Sequence, residues 1–198
     1  MTVRVVNQWK GKGSYNRLAP RQAAGGASAL PLLEEAARNV SLDPSTQPVV
    51  IADHGSSQDR NSPRPMSIAI VALLERLPVE RPISTIHTDL PENDFSSLFR
   101  LPDNDPASYL HNQPNVFTSA VGSSFYKRLF PDNHVSLGWS AYAVTWPGRT
   151  LALIPGHFYS TRSTGAVSRA FDRQAQEDWK VFLTHRAREP RRGVRKTC

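Results

Sequence analysis

Short apolar runs alternate with segments of helical spacing along this chain. Residues 48–53 read Pro-Val-Val-Ile-Ala-Asp, a continuous β-branched run that opens into the polar cluster His54–Asn61. Such a run bounded by turn residues predicts a buried strand followed by a loop. Residues 83–88 predict a second strand ending at Asp89, and residues 116–121 a third. A fourth strand and the loop after it fall within 134–146. Between them, 30–40 (LPLLEEAARNV) is amphipathic at helical period, and 66–77 (MSIAIVALLERL) is apolar on most faces, as suits a helix lying on a sheet. Residues 93–100 predict a short helix capped by its own Asn or Asp, 123–130 another stopped by Pro131, and 164–188 one long helix.

Strands that alternate with helices predict an α/β fold, a parallel sheet with helices on its faces. Ligands of such sheets bind beyond the carboxyl ends of the strands. Asp53 and Asp89 stand at the ends of the first two strands. An acid after a second strand suits two ribose hydroxyls of a nucleoside cofactor. Asp is also a common turn former and helix cap, and taken singly each residue favours that plainer role.

Composition narrows the picture. The chain has 198 residues, a length suited to one domain, and no apolar run long enough to span a membrane. The first 13 residues lack the apolar centre of a signal peptide. Its one cysteine, Cys198, excludes an internal disulfide and a cysteine-built metal site, so a cytoplasmic setting is expected. The net charge is +7, and residues 185–198 carry six Lys or Arg against one acid, Glu189. Five of the seven charges therefore lie there, which favours a solvated tail over a nucleic-acid site.

The common site motifs are absent. Gly55-Ser56-Ser57-Gln58-Asp59 lacks the glycines of a pyrophosphate cradle. The six histidines show no metal-ligand spacing, so no metal is expected. Gly122-Ser123-Ser124-Phe125-Tyr126 is not a nucleophile elbow.

Four stretches, in order, carry a resemblance. They are Gly13-Ser14-Tyr15 with Gln22; Ile51-Ala52-Asp53-His54-Gly55-Ser56-Ser57 with Asn61; Asp89-Leu90-Pro91-Glu92-Asn93-Asp94-Phe95; and Gly122 to Pro131 followed by Ser140-Ala141-Tyr142 and Trp146. Together they resemble the SABATH family of S-adenosylmethionine-dependent methyltransferases, which act on small carboxylic acids such as salicylate and benzoate and, in some members, on xanthine nitrogens. The third and fourth stretches are long and specific, and the match runs from about Tyr15 to Arg188.

The resemblance implies a Rossmann-like class I methyltransferase sheet with S-adenosyl-L-methionine as cofactor. It places Tyr15, Asp53, Ser56 and Asn61 near the methionine end of the cofactor. Asp89 would hold the ribose with Leu90 beside the adenosine, and Ser124 and Phe125 would frame the adenine. Gln22 and Trp146 would clamp a substrate carboxylate, with Tyr142 lining the same pocket. No residue is implied as a general base or nucleophile. The family pattern has Leu where this chain has His54, and Gly where it has Asp59; a carboxylate at 59 would repel that of the cofactor. Members continue past the long helix into an apolar strand, further strands and a helical cap, whereas 189–198 is basic here. The resemblance thus implies a partial domain over 1–188, its C-terminal strands and cap missing, and a disordered basic tail over 189–198. Two alternatives accompany the enzyme reading: a non-catalytic remnant that binds a ligand or partner, as a homodimer through an open sheet edge for example, and a nucleic-acid binder using the basic tail.

Overall fold

The computed structural model describes residues 26–57, 62–104, 108–149, 151 and 163–191. Helix α1 spans Leu30–Asn39 and strand β1 Val49–His54. Helix α2 spans Pro63–Leu74, β2 Ile83–Asp89, α3 Phe95–Asn104 and β3 Val116–Gly122. Strand β4 is short, Leu137–Trp139, and a 3-10 turn at Ala143–Thr145 precedes helix α4, Gly165–Arg186. The four strands form one parallel sheet in the order β3-β2-β1-β4. Central β1 is buried along its whole length, which is why it reads as an uninterrupted apolar run.

Side chains alternate between the faces of a strand, and the two faces are covered differently. Val49, Ile51, Ile83, Val116 and Leu137 lie beneath α1 and α2, through Leu33, Ala37, Met66, Ile70 and Leu73. Ala52, Ile86 and Val121 point the other way, against Leu129, Phe130 and Val135. Phe182 of α4 lies on that second face, its ring edge-on to His54. The molecule is therefore layered helix, sheet, helix, as its alternating elements predict.

Local chemistry accounts for the helix starts. Pro31 sits in the first turn of α1 and Pro63 in that of α2, where no amide partner is lost. Before α3, the Asp94 carboxylate accepts the Ser97 backbone N–H (3.0 Å), the expected Asx cap.

One expected helix is absent. Residues 123–130 form turns instead. Their backbone groups are satisfied from a distance: Arg186 donates to the carbonyls of Phe125 (2.7 Å) and Lys127 (2.9 Å), and Glu189 accepts the N–H groups of Leu129 (3.0 Å) and Phe130 (3.3 Å). Eight residues cannot sustain a helix alone, and these long-range bonds replace the local ladder. Glu189, the one acid of the basic segment, is 1 % exposed and pairs with Arg186 at 2.6 Å.

Candidate active site

The carboxyl ends of β1, β2 and β3 converge on the loop that follows β1. Gly55 and Ser57 both adopt positive φ there, +81° and +58°. The N–H groups of Gly55 and Ser56 both donate to the Thr88 carbonyl (2.8 and 3.1 Å), folding the loop over the end of β2. A Cβ at residue 55 would stand 2.1 Å from the Ala143 Cβ and 3.5 Å from the Phe125 ring. The loop after β1 thus touches Phe125 on one side. On the other, its Ser57 N–H donates to Asp89 (2.7 Å).

Asp89 closes β2. One carboxylate oxygen accepts Ser57 N–H and the other accepts the N–H of Leu90 (2.7 Å). Asn93 ties the same loop by donating to the Ser57 carbonyl (2.7 Å). Burial pushes the Asp89 carboxyl above its ordinary range, against the two backbone bonds that favour its charged form. Each oxygen retains acceptor capacity for a hydroxyl donor.

Asp53 lies deeper, 3 % exposed. Its carboxylate accepts the Ser62 hydroxyl and meets His87 Nδ1 at 3.1 Å. His87 Nε2 bonds the Tyr109 hydroxyl (2.7 Å), which in turn meets Thr118 (3.1 Å). Ser62 thereby spends its hydroxyl on Asp53 rather than on capping α2. Beside this network, the Ser56 hydroxyl is 4 % exposed by residue and has no hydrogen-bond partner. A buried polar atom left unpaired at a loop of this kind marks a place for a ligand group.

Of the residues expected at the cofactor, Asp53, Ser56, Asp89, Leu90, Ser124 and Phe125 gather around the ends of β1, β2 and β3. Phe125 packs on Tyr126 (4.6 Å between ring centres) and edge-on to Phe182 (6.1 Å). Tyr15, Gln22 and Asn61 lie outside the described residues. Tyr142 takes a left-handed φ of +60° ahead of the 3-10 turn. Trp146 is half exposed, with its carbonyl held by the Tyr126 hydroxyl (2.6 Å). The next loop residues are tied to α4, where Asp178 accepts the Gly148 N–H (2.8 Å). Burial, with the charge of Asp178, pushes the Tyr126 phenol up to about 12, so it remains a donor across the physiological range.

Two features escaped the sequence reading. Ser62 and His87 hold Asp53 across 9 and 34 residues of separation, with Tyr109 behind His87, and no local spacing signals them. Arg186 and Glu189, three apart at the end of a helix, do carry a signal, the spacing of an ion pair.

An open parallel sheet whose strand order turns at β1 and β4, with an acid after β2 and an unpaired hydroxyl after β1, defines a Rossmann-like nucleoside-cofactor fold. The family model described as SAM dependent carboxyl methyltransferase matches residues 1–195, and the chain belongs to that family. Indole-3-acetate O-methyltransferase 1 of Arabidopsis thaliana is 29% identical over 93% of this chain and 53% of that enzyme. Anthranilate O-methyltransferase 2 of Zea mays is 29% identical over 90% of this chain and 53% of its own. The solved structure of loganic acid methyltransferase with SAH superposes with a TM-score of 0.73 at 26% identity, covering 94% of this chain and 56% of that one. The chain spans about half the length of the curated relatives it matches. No helix among the described residues is long and apolar enough to cross a membrane.

Proposed function

We propose that this chain binds S-adenosylmethionine at the carboxyl ends of β1 to β3 and takes part in methyl transfer to the carboxylate of a small acid. The observation that carries the reading is the Asp89 carboxylate. It is anchored by two backbone N–H groups yet open to a hydroxyl pair, and it lies one loop away from the Phe125 ring. The unpaired Ser56 hydroxyl supports the same fit from the methionine side.

In this reading Asp89 accepts both ribose hydroxyls, Leu90 packs beside the adenosine, and Phe125 offers a face to the adenine with Ser124 at its edge. Asp53, fixed by Ser62 and His87, presents its free oxygen towards the amino-acid end, where Tyr15, Ser56 and Asn61 join it. The cofactor supplies a methyl group on a sulfonium, already activated for displacement. A carboxylate is a sufficient nucleophile at neutral pH, so the chain needs no general base. Its part is to align the acid and keep water out. Gln22 and Trp146 supply neutral amide and indole donors that orient an anion without neutralising it, and Tyr142 borders the same acid. The lone cysteine at the chain end supports a cytoplasmic setting.

The test is transfer of labelled methyl from S-adenosylmethionine to a panel of aromatic and aliphatic acids. Ester formation is expected, with Trp146→Ala and Gln22→Ala each raising KM about tenfold through loss of a hydrogen bond to a charged group. Cofactor binding without transfer to any acid would instead favour the second reading, a ligand-binding remnant. That reading draws support from the open edge of β4.

A further inference from the structure

A line of polar side chains crosses the apolar layer of the sheet. Asp53 and His87 are neighbours in the register of β1 and β2, and Thr118 of β3 stands beside Thr85, two residues before His87. By strand alternation they share the face of Ile51, Ile83 and Val116, which packs beneath α1 and α2. Tyr109, a buried member of that apolar cluster, joins His87 to Thr118. Asp53, Ser62, His87 and Tyr109 are each at most 5% exposed. Buried polar groups are costly unless bonded, and matched apolar side chains would serve a core equally well. Packing alone therefore does not call for this line.

The chemistry of its members fixes the direction of the bonds. An ionised Asp53 can only accept. The Ser62 hydroxyl gives its one proton to Asp53 Oδ2, so towards His87 its oxygen can only accept as well. His87 Nδ1 lies 3.1 Å from both acceptors and must therefore carry a proton. In the neutral ring Nε2 is then bare, and it accepts the Tyr109 hydroxyl at 2.7 Å. With that proton committed, the Tyr109 oxygen accepts from the Thr118 hydroxyl at 3.1 Å. Burial pushes the Tyr109 phenol above its ordinary value, so this donor keeps its proton. Donation thus runs one way, from Thr118 through Tyr109 and His87, and ends on a single carboxylate oxygen.

We propose that His87 and Tyr109 are positioning residues for the amino-acid end of the cofactor: by loading Oδ2 of Asp53 they hold Oδ1 towards the ammonium group of S-adenosylmethionine. The inference rests on the cofactor reading and deepens it. The last torsion of an aspartate is broad, so a carboxylate held by one hydroxyl still turns about that bond. A second donor on the same oxygen, from a ring fixed in the neighbouring strand, removes that freedom. Tyr109 in turn fixes the tautomer that makes His87 Nδ1 a donor. Neither residue is catalytic, since both act through Asp53. Their influence is confined to one end of the ligand, because Asp89, at the ribose, is held by the N–H groups of Ser57 and Leu90 instead.

The test is calorimetric titration of the full chain with two ligands, S-adenosylhomocysteine and methylthioadenosine, which keeps the adenosine and lacks the amino acid. The double variant His87→Leu with Tyr109→Phe removes both partners of the central bond together, so its melting temperature should stay within about 4 °C of the parent. Its affinity for S-adenosylhomocysteine should fall about tenfold or more, as a misaligned Asp53 loses its bond to the ammonium, while methylthioadenosine binds as before. Tyr109→Phe alone should show the same selectivity to a smaller degree, and reads the effect where the double variant does not fold. His87→Asn, whose amide stands where Nδ1–H stands, should recover most of what His87→Leu loses. Nitrogen NMR of the unliganded parent should find the His87 proton on Nδ1 and Nε2 bare. Equal losses for both ligands would mark a merely structural role and overturn the proposal. An unchanged affinity for S-adenosylhomocysteine, no recovery by asparagine, or a proton on Nε2 would overturn it too. A parent chain that binds no S-adenosylhomocysteine would overturn the cofactor reading and this role with it, whereas binding that survives the loss of His87 and Tyr109 would overturn this inference alone.

Discussion

His54 lies at the end of β1, where the family pattern has leucine, with Phe130 and Phe182 against its ring and Thr88 at 3.4 Å. Burial, then the charge of Arg186, lowers its pKa from 6.5 to about 3. The unfolded chain therefore binds a proton that the native chain refuses between those values. Unfolding is favoured as pH falls through this window, by up to ~1 kcal/mol per pH unit, and stability is regained above about 6.5. His54→Leu should flatten that slope in urea titrations run from pH 7 to pH 4, and should match or exceed the parent in stability. An unchanged slope would show that His54 is not the group refusing the proton. Gly55 makes a second prediction at this scale. With φ of +81° and a Cβ position 2.1 Å from Ala143, Gly55→Ala should cost about 2 kcal/mol or more and distort the loop that carries Ser57 to Asp89. Gly138→Ala, with its nearest neighbour at 3.8 Å, is the tolerated control, and chemical denaturation reads both.

At the scale of elements, the last turn of α4 and the three residues beyond it act as a clasp. Arg186 and Glu189 between them bind four backbone groups of residues 125–130, the segment that bears Phe125. Removing one partner leaves a buried charge and two unpaired N–H groups. Glu189→Ala should therefore destabilise the chain by about 3 kcal/mol or more, and Glu189→Gln by less, since an amide oxygen still accepts. Equal losses from the two substitutions would contradict the backbone role. Strands β1, β2 and β3 and helices α1, α2 and α4 were legible because apolar period reports which face is buried. The segment 123–130 was not. Its apolar spacing suits a helix, but its shape is set by side chains some sixty residues away, which no local pattern encodes. The same limit hid the hold on Asp53, because His87 within β2 and Ser62 ahead of α2 look like ordinary polar positions until the fold closes.

At the scale of the molecule, the sheet presents two unlike borders. Its carboxyl edge over β1 to β3 gathers the groups suited to a nucleoside, whereas its open side at β4 is an apolar slot. Neither Asp89 nor Phe125 lines that slot, although Tyr142 does. Asp89 was readable from sequence because an acid after a second strand is a positional signal. The slot was not, because it exists only where two helix layers outrun the sheet between them. The account rests on Asp89 as a hydroxyl acceptor, which calorimetric titration of the full chain with S-adenosylhomocysteine tests most directly. The prediction is single-site binding at neutral pH, weakened at least tenfold by Asp89→Ala and unaffected by Trp146→Ala. Affinity should also fall on acidification earlier than an ordinary carboxylate would dictate, because the raised pKa of Asp89 removes its charge at higher pH. Absence of binding, or binding that Asp89→Ala leaves intact, would contradict it.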